Sequence, residues 1–244
     1  MAPLSFAGRS FAPSIGFTLL ALLACAVFIR LGLWQYHKGL ARQAQWTRFA
    51  QGTDQLVELG TRPLSDLPLF QRVSLAGTFD GAHQFLLDNR SYHGRAGYEV
   101  LTPLTRSSAE TLIVDRGWVP FSGSRARLPD VSLASEASMT LNGRLAELPS
   151  GGLESGRAPP QAEGPWPRVT SYPRLGELAL ALGRPLDERI LLLDPQSPLG
   201  YVRDWQPPGI SPLRHFAYAI QWWCFAALAL FIWARLSLRP KGAA

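Results

Sequence analysis

Apolar residues crowd the two ends of this chain, and a mixed pattern fills the stretch between them. Residues 15–29 (IGFTLLALLACAVFI) contain no charge, and the apolar character continues through Leu31, Gly32, Leu33 and Trp34 with Arg30 as the one intrusion. That is about 20 residues, the length a helix needs to cross the hydrocarbon core of a bilayer. Residues 216–233 (FAYAIQWWCFAALALFIW) form the second run, with Gln221 its only strongly polar member and aromatic rings gathered at its start and end. Such rings favour the membrane–water boundary. The pattern predicts transmembrane helices over residues 14–34 and 215–234, with one domain over residues 35–213 between them. A cleaved signal peptide has a shorter apolar core and a small-residue cleavage site. Residues 30–38 hold no Ala-x-Ala-like site, so the first run reads as a retained anchor.

In the middle, residues 40–49 (LARQAQWTRF) read as a short amphipathic helix leaving the membrane. Residues 72–79, 84–88 and 98–104 alternate or are apolar between Gly and Pro, which predicts strands. Residues 111–121 (TLIVDRGWVPF) are the strongest strand, rich in β-branched and aromatic residues, and residues 139–145 and 189–193 follow. Residues 150–165 are rich in Gly, Pro and Ser and read as an exposed flexible loop, while residues 173–182 predict a helix stopped by Gly183. The fold class is therefore a membrane protein with an α+β domain: a small, mostly antiparallel, partial-barrel-like sheet with one or two helices, flanked by two transmembrane helices.

Charge sets the orientation. The formal net charge is +6, but only Lys38 and Lys241 are lysines and the arginines are scattered. A nucleic-acid surface gathers its cations into a stripe, so nucleic acid is not an expected partner. Arg9 precedes the first run, and Arg235, Arg239 and Lys241 follow the second; under the positive-inside rule these short tails place both termini in the cytoplasm. Arg30, Lys38 and Arg42 argue the other way, yet long loops translocate largely regardless of charge. The central domain is expected in the periplasm. The dozen or so residues before the first run, with one arginine, are too short for a mitochondrial transit peptide, which favours a bacterial inner membrane.

Candidate chemistry is sparse. Cys25 and Cys224 each lie inside an apolar run without a CxxC or CxxxC partner, which removes paired-thiol redox, copper and covalent haem attachment. No GxSxG, phosphate-binding loop or HExxH occurs, so an enzyme is not expected. Asp115 and Arg116 read as an ion pair that fixes a strand turn, and His83, His93 and His37 as surface or interfacial side chains. His215 differs. It opens the second run, with Tyr218, Ala219, Trp222 and Ala226 behind it at helical spacing. An imidazole at that depth must be paired, wet or coordinating. Two readings stay open: a histidine touching water and headgroups, or an axial ligand to a haem that lies against the helix, reached through small residues and flanked by Tyr218 and Trp222. In the second, Arg30 or Arg214 meets propionates near the interface, and the helix faces Gly32 and Trp34 of the first span.

Several strings in order carry a resemblance. The stretch LGLWQYHKGLAR (31–42) is similar to a Leu-Gly-x-Trp-Gln segment followed by basic residues. RVSLAGTFD (72–80), GYEVLTPL (97–104) and LIVDRGWVP (112–120) follow, and HFAYAIQWWCFA (215–226) resembles a His-x-x-Tyr-Ala-x-x-Trp-Phe signature. In these features the chain resembles the surfeit-locus (Surf/Shy) family of cytochrome c oxidase assembly factors over nearly its whole length. Tyr36, His37 and Lys38 depart from the family's acidic and arginine residues, and Trp223 stands where Phe is common. The resemblance implies a non-catalytic inner-membrane protein that aids haem a insertion into the largest oxidase subunit, with His215 as the implied ligand of haem a. The implied partners are the oxidase subunits, chiefly the haem-bearing one, and the haem a synthesis machinery, with membrane lipids around the helices. The alternative is a structural adaptor that steadies an early assembly intermediate and never touches haem. Gly97, Gly117 and Trp118 are expected to serve folding more than ligand contact.

Overall fold

The structure is a computed structural model that describes residues 5–6, 9–51, 55–108, 110–133, 138–149, 156–207 and 209–240. The chain divides into two compact units, Met1–Thr47 with Pro208–Ala244, and Arg48–Pro207.

In the first unit, β1 (Ser5–Phe6) and β2 (Arg9–Phe11) precede α1 (Ile15–Gln51), whose last residues from Arg48 belong to the second unit. At 37 residues α1 is about 55 Å long by the rise of 1.5 Å per residue, far more than a membrane crossing. Residues 40–49 thus continue the first helix without a break; no proline separates them from the apolar run, and Gly39 is taken up within the helix. Near the other end of the chain, α3 (Pro212–Leu236) starts with proline at its first position, where the missing N–H costs nothing, and leads into β11 (Leu238–Pro240). Strand β11 pairs antiparallel with β2, Leu238 opposite Phe11, so the start of α1 and the end of α3 are held together. Both helices are long and apolar enough to cross a membrane, and the apolar stretches are only 17% and 11% buried. Leu23 is 63% exposed and Phe231 61%, a surface that suits lipid and not water.

In the second unit, β3 (Leu56–Glu58), β4 (Arg72–Phe79), β5 (Phe85–Tyr92), β6 (Arg95–Arg106), β7 (Thr111–Pro120) and β8 (Met139–Ala146) are followed by β9 (Arg168–Thr170), α2 (Leu175–Leu182) and β10 (Ile190–Leu193). The strand order is β3-β4-β8-β10-β7-β6-β5-β9, and β4 also pairs with β6. That extra pairing, Gly77 to Phe79 against Arg106 to Leu104, closes β4, β8, β10, β7 and β6 into a ring. Gly77 permits it, because a Cβ there would lie 2.8 Å from the Thr105 carbonyl. Most pairs are antiparallel, but β10 runs parallel to β7, β3 to β4 and β9 to β5. The partial barrel expected from the sequence is thus a closed, mixed one.

Alternation along the strands sorts side chains to either side of the wall. Val73, Leu75 and Phe79 of β4 pack with Leu104, Leu112, Val114, Leu141, Leu145, Leu191 and Leu193 inside the ring. On the other side of the wall, Phe85, Leu101, Ile113 and Ile190 pack on Leu178 of α2. Strand β7 is buried on both faces, which is why apolar residues stand at consecutive positions in it, with Asp115 and Arg116 the buried charged exceptions. Helix α2 ends as its sequence predicts, with Gly183 in the left-handed conformation at φ 69°. The segment 88–94 is strand almost to its end, turning only at His93 and Gly94, whose positive φ values make a tight hairpin. Of the loop expected over 150–165, residues 150–155 lie outside the described residues; in the rest, Ala158 bridges to Ser171.

Candidate functional site

The two long helices meet along a stripe of small residues. On α1, Ala21, Cys25, Phe28, Gly32, Gln35 and Gly39 succeed one another at alternating intervals of four and three. On α3, His215, Ala219, Trp222, Ala226, Ala229 and Trp233 do the same. An average of 3.5 residues keeps one seam facing a partner helix. Contacts follow this register. Cys25 Sγ lies 3.5 Å from the Ala226 carbonyl, Phe28 stacks on Trp222 at 5.8 Å, and Trp233 Nε1 donates to Thr18 Oγ1 at 3.0 Å. Ala219 and Ala226 are 1% and 6% exposed, and a Cβ added to Gly32 would lie 2.2 Å from Trp223 Nε1. A Cβ at Gly39 would meet the Phe216 ring at 2.6 Å. The small residues thus let the helices approach closely, as small residues do in membranes. They seat α1, and do not leave an open face on α3.

His215 is on this seam. Its Nδ1 lies 2.9 Å from Oε1 of Gln35 on α1, a half-buried contact between residues 180 positions apart. An imidazole amid apolar helices needs a polar partner, and the facing helix supplies one. Around it, Tyr36 packs on Phe216 at 5.7 Å and on Trp223 at 6.1 Å.

The other sequence candidates are distributed differently. Trp222 shares the seam with His215, two turns on. Tyr218 lies outward, 52% exposed, and Arg30 and Arg214 are exposed without a hydrogen bond or ion pair to His215 among the described residues. Gly32 faces α3 as expected, but Trp34 is exposed and has Lys38 Nζ 6.0 Å from its ring. Gln35 was not singled out from the sequence. The signal for it was present: an amide directly after an apolar run, three residues from one seam glycine and four from the next.

The barrel has polar sites of its own. Asp115 and Arg116 do not pair with each other, because neighbours on a strand face opposite ways. Arg116 points into the ring, where Nη1 donates to Gln84 Oε1 at 3.0 Å and Nε to the Leu199 carbonyl at 2.7 Å, with the Tyr201 ring 4.9 Å away. Asp115 faces the other side, and its Oδ1 accepts from the Gly117 N–H at 3.0 Å. Burial pushes the Asp115 carboxyl well above its ordinary range and the neighbouring Glu99 adds to the effect, against the Gly117 N–H and Arg90. Glu99 is itself raised by burial, opposed by Arg90, whose Nε is 2.9 Å away. Between Asp115 and Trp118, β7 carries one residue more than β6 opposite it. Gly117 absorbs this bulge at φ 106°, and a Cβ there would sit 2.6 Å from the Val202 carbonyl. Gly97 lies against Trp118, its added Cβ 2.4 Å from the indole nitrogen. A cavity of about 440 Å³ is lined by Phe49, Arg72, Arg144, Asp194, Arg203 and Trp205 among others. Its charges are engaged: Arg72 with Asp194, Arg144 over the Phe49 ring at 4.0 Å, and Arg203 on the Asp194, Pro195 and Ser197 carbonyls.

His83 pairs with Asp80 at 2.9 Å, while His93 stands in the hairpin turn against Tyr92. Among the described residues no three His, Cys, Asp or Glu side chains form a group able to hold a metal ion.

No curated protein matches the chain significantly. The profile of the SURF1 family, in contrast, matches residues 22–227, a span that begins in α1, takes in the whole barrel and ends in α3. With the long helices at both ends of that span and the barrel between them, the chain belongs to the SURF1 family, whose members are assembly factors for cytochrome c oxidase and not enzymes.

Proposed function

We propose that this chain assists haem a insertion into the largest subunit of a haem–copper oxidase, with His215 as the residue that holds the haem. The observation that carries the reading is the place of His215: on the seam between two apolar helices, held by one polar partner and set among aromatic rings. The donor set fits the group. A haem iron needs an axial donor, and the His215 imidazole is the one this seam offers; Trp222 lies two turns along the same helix, stacked on Phe28, and Tyr36 is next to Gln35 on α1. A haem held there would supply an iron for the His215 imidazole to bind; Arg30, midway along α1, and Arg214, beside His215 in the first turn of α3, are exposed cations that would meet its propionates. The family's association with haem a handling supports the same reading. The protein lies in a bacterial inner membrane with the barrel in the periplasm. The pairing of β2 with β11 keeps Arg9 and Arg239 on one side, which the positive-inside rule makes cytoplasmic. Its partners are the oxidase subunits, chiefly the haem-bearing one, and the haem a synthesis machinery.

The experiment is purification after co-expression with haem a synthesis, comparing absorption spectra of the wild type and His215→Ala. Bound haem in the first and its loss in the second is the expected result. No haem in either, or equal content in both, overturns the ligand role. The close seam at Gly32 and Ala219 would then favour the adaptor that steadies an early oxidase intermediate.

A further inference from the structure

When the His215 imidazole is neutral, its contact with Gln35 bears on which ring nitrogen carries the proton. Gln35 presents Oε1 to Nδ1 at 2.9 Å. A carbonyl oxygen only accepts, so with the amide in this orientation Nδ1 is the donor and carries the proton. In an imidazole with one ring proton the lone pair is then on Nε2. Among the described residues His215 forms no second hydrogen bond, so none of them engages Nε2.

We infer that Gln35 is a positioning residue: it holds His215 in the Nδ1–H tautomer and so makes Nε2 the nitrogen offered to the haem iron. The inference rests on the ligand role proposed above and adds the residue that sets it up. Metal-bound histidines commonly donate their other N–H to an acceptor, which fixes the ring and raises its basicity. In a soluble protein that acceptor is often a carboxylate or a loop carbonyl. In an apolar helix pair the backbone carbonyls already accept within the helices, and here a side chain on the facing helix is the acceptor. Glutamine supplies it without placing a charge among apolar residues. The seam sets the reach. Gln35 lies between Gly32 and Gly39, where the Trp223 and Phe216 side chains of α3 leave no room for a Cβ on α1. The competing role is a polar pair that only fixes helix register. The opposite amide orientation also competes: the Gln35 NH2 would donate to Nδ1, the proton would sit on Nε2, and no lone pair would face outward.

The test uses the full chain in detergent or nanodiscs, with 15N-labelled histidine and no haem. The wild type is expected to show the Nδ1–H tautomer for His215, and Gln35→Leu a mixture of tautomers, at unchanged helix content. An Nε2–H tautomer in the wild type, or the same tautomer in both chains, overturns the inference. A second arm titrates haem a. Gln35→Leu is expected to bind it about tenfold or more weaker, the scale seen for lost partners of metal-bound histidines. Gln35→Glu, which keeps the acceptor and adds charge, is expected to restore binding and to lower the midpoint potential of the bound haem. If the wild type binds no haem while the tautomer is as expected, the ligand role fails and the positioning of His215 by Gln35 stands. Haem that depends on His215 but not on Gln35 overturns the positioning role alone. Gln35→Met, closer in shape, repeats both arms should the leucine variant fold poorly.

Discussion

The helix pair and the barrel solve opposite packing problems with much the same residues. In the barrel, leucines and valines go inside: Leu104, Leu112 and Leu191 are fully buried, and the polar exceptions such as Arg116 are bonded within the wall. In the helix pair the large apolar residues face outward and the small ones inward, with Ala219, Ala226, Gly32 and Gly39 at the contact. Water makes the difference. It drives leucine into the barrel, whereas lipid is as apolar as leucine and leaves close approach and a few hydrogen bonds to join the helices. Polar groups consequently mean different things in the two units. The Arg116 network belongs to a packed wall, while the His215–Gln35 contact is the polar meeting point of two apolar helices.

Cutting the same side chain in both units sharpens this contrast most. Leu104→Ala empties space inside the ring and is expected to cost about 2–5 kcal/mol of domain stability. Leu23→Ala, on the outward face of α1, is expected to cost under about 0.5 kcal/mol. Unfolding of the full chain in detergent, followed by near-ultraviolet circular dichroism, reads both; equal losses would break the comparison.

Glycines give the next test. Gly117→Ala strains a residue at φ 106° and drives its Cβ toward the Val202 backbone, so a loss of about 2–3 kcal/mol is expected. Gly32→Ala meets the Trp223 indole, a half-exposed side chain that swings aside, and should cost about 1 kcal/mol. Trp223 fluorescence is the local readout, checked against a Trp223→Phe background to separate it from the other tryptophans. A Gly32 variant as damaged as the Gly117 one would mean that the seam is as rigid as the barrel wall.

The smallest effect is electrostatic. Asp115 has a carboxyl raised by burial and then by Glu99, so the folded chain holds its proton above the ordinary carboxyl value of 3.8. The folded state then binds more protons than the unfolded one, and stability falls as pH rises above 3.8 through the raised value. Asp115→Asn keeps the acceptor for Gly117 N–H and cannot ionise. Its stability should exceed that of the wild type at neutral pH, with a flatter pH profile. A steeper profile in the variant would show that the buried group is ionised.

Much of this was legible in the chain. The apolar runs mark both long helices, alternation locates β4 and β8 almost to the residue because half-buried strands repeat every two residues, and β-branched and aromatic content locates β7. The three-residue strands β3 and β9 escape such reading; Leu56–Glu58 and Arg168–Thr170 are too short to show a period and exist by pairing with β4 and β5. Residues 40–49, read as a short separate helix, continue α1 because amphipathic and apolar stretches are equally good helix, and only their surroundings differ. Of the candidate site, His215 and Trp222 were visible as a polar residue and a ring at helical spacing, whereas Tyr218 shares that spacing within reading error and faces outward.

By itself, then, the sequence determined the two helices, the main strands and the one histidine worth following, since each is written in a local period or an out-of-place polar group. The tertiary structure decided which distant elements meet. It closed β4 onto β6, turned Asp115 and Arg116 to opposite sides of one wall, and set Gln35 against His215 across 180 residues of chain. Local periodicity tells which face of an element is buried. It does not tell what lies against that face, because that depends on how the whole chain satisfies its apolar surface and polar groups at once.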